Sequence, residues 1–148
     1  LLTPGWYDPM PGGFRISGLS YADTEAPDHR AWDCNAPSGQ PQRGGVWGAL
    51  RPGTVVYSGR DVRDVPMSWN RGNYVYIACG DDLFICACHF KDLLVATGDQ
   101  VEGGQPLGKI GSTGYATGPH VHQWAERQGV RFDWLAEGGY RVVGSGTV

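Results

Sequence analysis

The sequence predicts an all-β, mostly antiparallel fold, with a compact core of sheet or sandwich-like packing and long loops along one side. The 24 glycines and 10 prolines make up about 23% of the 148 residues, roughly twice the usual share. Short apolar runs alternate with turn residues, as in all-β domains, and no helical period continues beyond about two turns. The apolar fraction of 41%, with six tryptophans, excludes a disordered chain.

The amino-terminal half predicts two short strands separated by loops. Residues 14–16 form the first strand and residues 54–57 the second, with a long polar loop over residues 20–45 between them. Residues 60–72 form another loop. Because a loop longer than about 15 residues inside a compact domain is usually functional, we expect the first loop to contribute to a site.

A hairpin is the clearest predicted element. Residues 73–79 and 83–90 are apolar runs on either side of a Gly-Asp-Asp turn. A two-residue turn at the aspartates pairs Ile77 with Cys86. This register places Cys86 on the core face and His89 on the opposite face, and a slip of one residue would exchange the two faces.

The carboxy-terminal half predicts short strands at tight turns over residues 95–110, a glycine-rich loop over 111–118 and a closing strand over 120–124. We therefore expect residues 14–137 to form the functional domain. Residues 1–13 are expected to be an extended lead-in, and residues 138–148 a C-terminal tail.

Composition and charge restrict the partners. The net charge of −3 and the pI near 5.7 give no basic surface, so nucleic acid is not an expected partner. No run of 18 apolar residues is present, so no membrane span is expected. None of the four cysteines has C-x-x-C spacing, so a zinc knuckle is not expected, and Cys86 and Cys88 are expected to be buried apolar side chains. The opening Leu-Leu-Thr-Pro-Gly has no signal-peptide pattern, which favours a segment of a longer or processed protein.

The four histidines stand in patterns that suit catalysis. His120 and His122 share one face of the closing strand, about 7 Å apart. His29 precedes Asp33 by four residues in the long loop, where a bend can bring both side chains together. Two imidazoles and a carboxylate with an open position form a catalytic zinc site. Spare imidazoles, such as that of His89, can transfer protons and stabilise an oxyanion.

Two other motifs are excluded. Residues 103–109 match most of a phosphate-binding loop, but Ile110 stands where magnesium needs a Ser or Thr hydroxyl. The glycine rhythm of residues 98–108 suits a lipoyl or biotin carrier module, but neither Lys91 nor Lys109 has the context of a modified hairpin lysine.

Five segments carry a family pattern: His29-Arg-Ala-Trp-Asp33, Gly72-Asn-Tyr-Val-Tyr-Ile77, Ala87-Cys-His89-Phe90, Gly98-Asp-Gln-Val-Glu-Gly-Gly-Gln-Pro-Leu-Gly108 and Gly111-Ser-Thr-Gly-Tyr-Ala-Thr-Gly-Pro-His120-Val-His122. In their order and spacing, the chain resembles the lysostaphin-type zinc endopeptidases of bacterial cell walls over about residues 14–125. The resemblance implies a duplicated hybrid motif β fold, with a catalytic groove floored by the sheet and walled by loops.

The resemblance also implies roles for individual residues. One zinc ion would be held by His29, Asp33 and His122, with His89 and His120 as further catalytic histidines. The implied reaction is hydrolysis of a peptide bond of peptidoglycan, in the stem peptide or cross-bridge, where one of the two histidines takes or orients a proton. The expected substrate-binding residues are Arg71, Asn73, Tyr115 and Thr117. The chain departs from the family pattern at Ala31, Arg71 and Gln123-Trp124, so its bond preference is open.

Two functions remain after these exclusions. The first is an active peptidoglycan endopeptidase in the extracellular space or cell envelope, including the tail of a phage virion, where other tail proteins would be partners. The second is an inactive relative that serves as a cell-wall-binding, activator or structural module. Such copies usually lack metal ligands, whereas this sequence has all three together with both spare histidines, which favours the enzyme.

Overall fold

In a computed structural model, residues 2–18 and 31–143 are described, and nearly all of their regular structure is antiparallel sheet. A single helical turn, α1 (Trp134–Glu137), follows ten strands: β1 (Arg15–Gly18), β2 (Trp32–Asn35), β3 (Val46–Gly48), β4 (Gly53–Arg60), β5 (Asn73–Ala78), β6 (Leu83–Leu93), β7 (Gln100–Val101), β8 (Pro106–Ile110), β9 (Val121–Arg127) and β10 (Val130–Phe132). The predicted all-β, antiparallel fold is confirmed.

Strands β6 and β9 lie at the centre of the sheet. The main order is β1-β2-β9-β6-β5-β4-β7, while β10 pairs with β9, and β8 pairs with both β3 and β6. Strand β9 therefore lies between β2 and β6, although β2 is far from both in sequence. This topology brings the long amino-terminal loop region, the hairpin and the closing strand side by side.

The two faces of the sheet have different partners. One face packs into the main core, where Trp47, Phe14 and Phe90 are fully buried. Burial of each such side chain contributes roughly 1.5–3 kcal/mol to folding. The opposite face carries a smaller buried cluster that contains Cys86, Cys88, Tyr74 and Trp124. In β9, side chains alternate between these faces, as expected for a strand.

The hairpin forms where predicted, but its register differs by one residue. Ile77 pairs with Ile85 instead of Cys86, so Cys86 lies on the face opposite the main core. The two central aspartates of the turn have φ values of 53° and 57°, as a two-residue hairpin turn requires. Gly80, at φ 89°, directly precedes that turn. The Leu83 carbonyl accepts a hydrogen bond from Cys79 N, so Gly80 is an extra residue between the turn and the paired part of the hairpin. This inserted glycine shifts the pairing and exchanges the faces of β6.

The predicted loop over residues 20–45 contains a strand. Strand β2 pairs with β1 and β9 through residues 32–35, and residues 20–30 lie outside the described residues.

The predicted lead-in and C-terminal tail also contribute buried side chains, namely Trp6, Met10 and Tyr140. Within the described part of the chain, no helix is long and apolar enough to cross a membrane.

Candidate active site

Three predicted site residues meet at the centre of the sheet. Asp33 of β2 pairs directly with His122 of β9, and its Oδ1 atom lies 2.9 Å from His122 Nδ1. The same oxygen lies 3.6 Å from His120 Nε2. All three side chains are partly exposed, with 17–24% of their surface accessible. The carboxylate and the two imidazoles therefore share one small, open site.

His89 joins this site through a bulge in β6. Its φ of 74° is a left-handed value that few non-glycine residues adopt. Strand pairing skips one residue here, since Ala87 pairs with Val75 whereas Phe90 pairs with Asn73. The bulge turns His89 away from the main core, and its ring centroid lies 4.9 Å from that of His120 and 6.0 Å from that of His122. Phe90 returns to the core.

Two of the histidines are held by backbone carbonyl groups. His89 Nδ1 lies 2.6 Å from the carbonyl oxygen of Thr113, and His120 Nδ1 lies 2.9 Å from that of Gly118. Since a carbonyl can only accept, Nδ1 carries the proton in the neutral form of each ring, and Nε2 then has the free lone pair. Burial lowers the pKa of His89 to about 4, which keeps that ring neutral at neutral pH. Both rings can thus accept or orient a proton at Nε2.

The site lies in a groove of about 430 Å³ lined by Asp33, Cys88, His89, His120 and His122. Three of the predicted substrate-binding residues, Arg71, Tyr115 and Thr117, also line it. Asn73 does not: its side-chain amide donates to the Phe90 carbonyl at 3.0 Å, so it supports the bulge at His89.

Sequence reasoning missed several residues of the groove. Trp124 and Arg131 line one part of it, and Arg63, Trp69 and Asn70 belong to its wall. Trp124 could have been found from its position two residues after His122 on the same strand face. Gln123, where the chain departs from the family pattern, has a structural role. Its buried amide accepts a hydrogen bond from Trp47 Nε1 at 2.9 Å and donates to the carbonyl groups of Cys86 and Trp124.

One wall of the groove is organised around a buried carboxylate. Asp61 accepts two hydrogen bonds from the Arg63 guanidinium, at 2.9 and 2.7 Å, and one from the backbone N–H of Arg71 at 2.8 Å. These bonds close the segment between β4 and β5, which includes a short 3-10 helix at Met67–Trp69. The hydrogen bonds to Arg63 hold the pKa of Asp61 well below its ordinary value.

We expect Asp61→Asn to destabilise the protein at neutral pH by about 1–2 kcal/mol, because it removes charge-assisted hydrogen bonds. Since the folded-state pKa is the lower one, the carboxylate stabilises fully above its ordinary pKa of about 3.9. This contribution is lost as the pH falls toward the folded-state value. Urea denaturation of both proteins at pH 7 and pH 3 should show a smaller difference at pH 3. An equal difference at both pH values would contradict the assigned role of the charge.

The described donors fit part of a zinc site. At ordinary zinc bond lengths, two tetrahedral ligand atoms are separated by about 3.3 Å, which is close to the 2.9 Å between Asp33 Oδ1 and His122 Nδ1. Carboxylate and imidazole are suitable zinc donors. Among residues 2–18 and 31–143, no group of three His, Cys, Asp or Glu side chains forms a metal site. The third predicted ligand, His29, lies outside the described residues, so the complete ligand set stays a prediction.

Gly18 leaves room for the carboxylate of Asp33. A Cβ atom added at Gly18 would lie 2.8 Å from Asp33 Oδ2, so the carboxylate would have to move. We expect Gly18→Ala to weaken zinc binding by about 10-fold, as displacement of supporting groups does at metal sites, with little change in melting temperature. A chelator competition titration measures this effect. Gly118→Ala is the matched control because its added Cβ meets nothing within 4 Å; equal affinities for both variants would contradict the prediction.

Comparisons with known proteins agree with this geometry. Residues 27–134 match the sequence model of Peptidase family M23. The peptidoglycan DD-endopeptidase ShyC of Vibrio cholerae is 38% identical over 96 residues, which cover 64% of this chain and 19% of that protein. The chain thus spans about a fifth of the length of this curated relative.

Two solved structures share the fold. The catalytic domain of the prophage-encoded M23 protein EnpA from Enterococcus faecalis has a TM-score of 0.64 and 26% identity, covering 86% of this chain and 94% of that one. The catalytic domain of lysostaphin from Staphylococcus simulans has a TM-score of 0.61 and 23% identity, covering 84% and 86%. The lysostaphin likeness supports the fold that the sequence motifs imply.

Proposed function

This chain belongs to peptidase family M23, and on that premise we propose that it hydrolyses peptide bonds of bacterial peptidoglycan as a zinc-dependent endopeptidase. The observation that carries the proposal is the convergence of Asp33, His89, His120 and His122 in one groove. The peptidoglycan activity in the name of its Vibrio cholerae relative supports the substrate.

In this proposal, His29, Asp33 and His122 hold one zinc ion. When bound, zinc supplies Lewis acidity, which polarises a carbonyl group and makes water a better nucleophile. In His89 and in His120, Nδ1 donates a hydrogen bond to a backbone carbonyl group, which orients the ring. The Nε2 atom of one of the two rings would therefore accept the proton of the attacking water, and the Nε2–H so formed would donate a hydrogen bond to the oxyanion of the tetrahedral intermediate.

Arg71, Tyr115 and Thr117 would contact the peptide, since they line the groove. We assign Asn73 a positioning role, because its amide supports the backbone beside His89. The enzyme would act outside the cytoplasm, in the extracellular space or cell envelope, where peptidoglycan is accessible. A phage-tail setting stays a prediction.

The test is digestion of purified peptidoglycan sacculi by the purified chain. We expect mass spectrometry to detect released fragments with new amino termini. Chelator treatment should stop the release, and about one equivalent of zinc per chain should restore it. Absence of release by the zinc-loaded protein, with co-sedimentation on sacculi, would overturn the enzyme proposal in favour of a cell-wall-binding module.

A further inference from the structure

Two arginines that line the groove lie against the same buried tryptophan. The guanidinium carbon of Arg131 lies 3.8 Å from the centre of the Trp124 ring, and that of Arg71 lies 4.6 Å from it. Arg71 also lies 5.0 Å from the Tyr74 ring centre. Because only 2% of Trp124 is exposed, its ring is a rigid surface that fixes both cations.

Neither guanidinium has an ion-pair partner within residues 2–18 and 31–143. Glu126 stands opposite Arg131 in the strand register, but its carboxylate accepts from Tyr76 Oη at 2.8 Å and from Trp124 Nε1 at 3.2 Å. Arg63, the third arginine of the groove, is bound to Asp61. Arg71 and Arg131 are thus the cations left to meet a ligand.

Arg131 is kept charged at an energetic cost. Burial is the main cause that lowers the pKa of Arg131, and the positive charge of Arg71 adds to it, while the nearby Glu126 carboxylate and the Cys86 and Cys88 thiols offset only part of this effect. A partly buried charge without a counter-ion destabilises a protein unless something compensates for it. An anion that enters the groove would supply this compensation, and a planar carboxylate matches the forked geometry of a guanidinium.

We propose that Arg71 and Arg131, held on Trp124, form a subsite for a carboxylate of the peptide substrate close to the scissile bond. This inference rests on the proposed function, since it names the substrate class of the same groove. A peptide whose carboxylate is replaced by a neutral amide would leave both guanidinium groups unpaired. Because hydrogen bonds to charged groups are strong, we expect kcat/KM for the carboxylate peptide to exceed that for the amide peptide by about 10- to 100-fold.

The first experiment uses the unmodified protein and two synthetic cross-linked stem peptides. The peptides differ only in whether the carboxyl groups flanking the cross-link are free acids or primary amides. We expect kcat/KM to be about 10- to 100-fold higher for the acid, mainly through KM. Equal values for both peptides would overturn the subsite. Failure to cleave either peptide or sacculi would instead overturn the proposed function.

The second experiment compares Arg131→Gln and Arg71→Gln with Arg60→Gln. Arg60 is exposed and lies outside the groove, so its variant controls for the loss of one positive charge. Each groove variant should raise KM for the acid about 10-fold or more and leave the amide nearly unchanged. A preference for the acid that persists in both groove variants would contradict the assignment. If a variant fails to fold, the acid-to-amide comparison on the unmodified protein still decides.

Discussion

The His122→Ala protein is expected to lose its zinc and its peptidoglycan hydrolysis together. His122 Nδ1 lies 2.9 Å from Asp33 Oδ1, so its removal takes away one of the two described donors. A site with three protein ligands binds zinc poorly after the loss of one. Metal analysis after dialysis should fall from about one zinc per chain to a small fraction, and fragment release from sacculi should fall below detection.

The matched control for this experiment is His120→Ala. His120 lies two residues away and also faces Asp33, at 3.6 Å, but we assign it no zinc bond. The control should retain its zinc while its turnover falls. Retention of zinc by His122→Ala, or loss of zinc from the control alone, would show that the ligand assignment is wrong.

The second large effect is expected at His89. His89→Asn should lower kcat by about 10²- to 10⁴-fold, the usual contribution of a general acid or base, while zinc content stays unchanged. Asparagine suits this position because it tolerates positive φ better than most residues, and His89 has a φ of 74°. The measurements are steady-state hydrolysis of a cross-linked peptide and zinc analysis of the same preparation.

His89→Ala is a useful second variant because it removes the same imidazole from a less tolerant backbone position. It should match His89→Asn in kcat but melt at a lower temperature, since alanine at positive φ is strained by about 1 kcal/mol. Full turnover by His89→Asn would exclude His89 from the reaction. Loss of zinc from both variants would instead assign His89 a role in metal binding.

The fold class could be predicted because it depends on local signals, whereas the convergence of Asp33 with His122 was implied only by the family resemblance, since the two residues are 89 positions apart. Turn residues and short apolar runs mark strands, and the spacing of His120 and His122 places them on one strand face. The register of the hairpin could not be predicted, since the single inserted residue Gly80 exchanges the faces of β6. A turn with one more or one fewer residue fits the same apolar pattern.

The position of His89 shows a second limit. Simple alternation, in the register that forms, would turn His89 into the core with Ala87, and only the bulge brings it to the groove. The support for that bulge comes from Asn73, which is distant in sequence. Arg131 was missed for a related reason, because its place beside Trp124 depends on the pairing of β10 with β9. Long-range contacts of this kind leave no local periodicity.

The pairing of Asp33 with His122 across β2 and β9 has an evolutionary consequence. The hydrogen bonds between β2 and β9 fix the distance between the Asp33 and His122 backbones. The walls of the groove are formed by loops, namely the segment between β4 and β5 and residues 111–118. Surface loops accept insertions and substitutions far more readily than central strands do. Substrate choice can therefore diverge among descendants of this fold by remodelling of the walls, while the Asp33–His122 pair, and with it the proposed hydrolytic chemistry, is inherited intact.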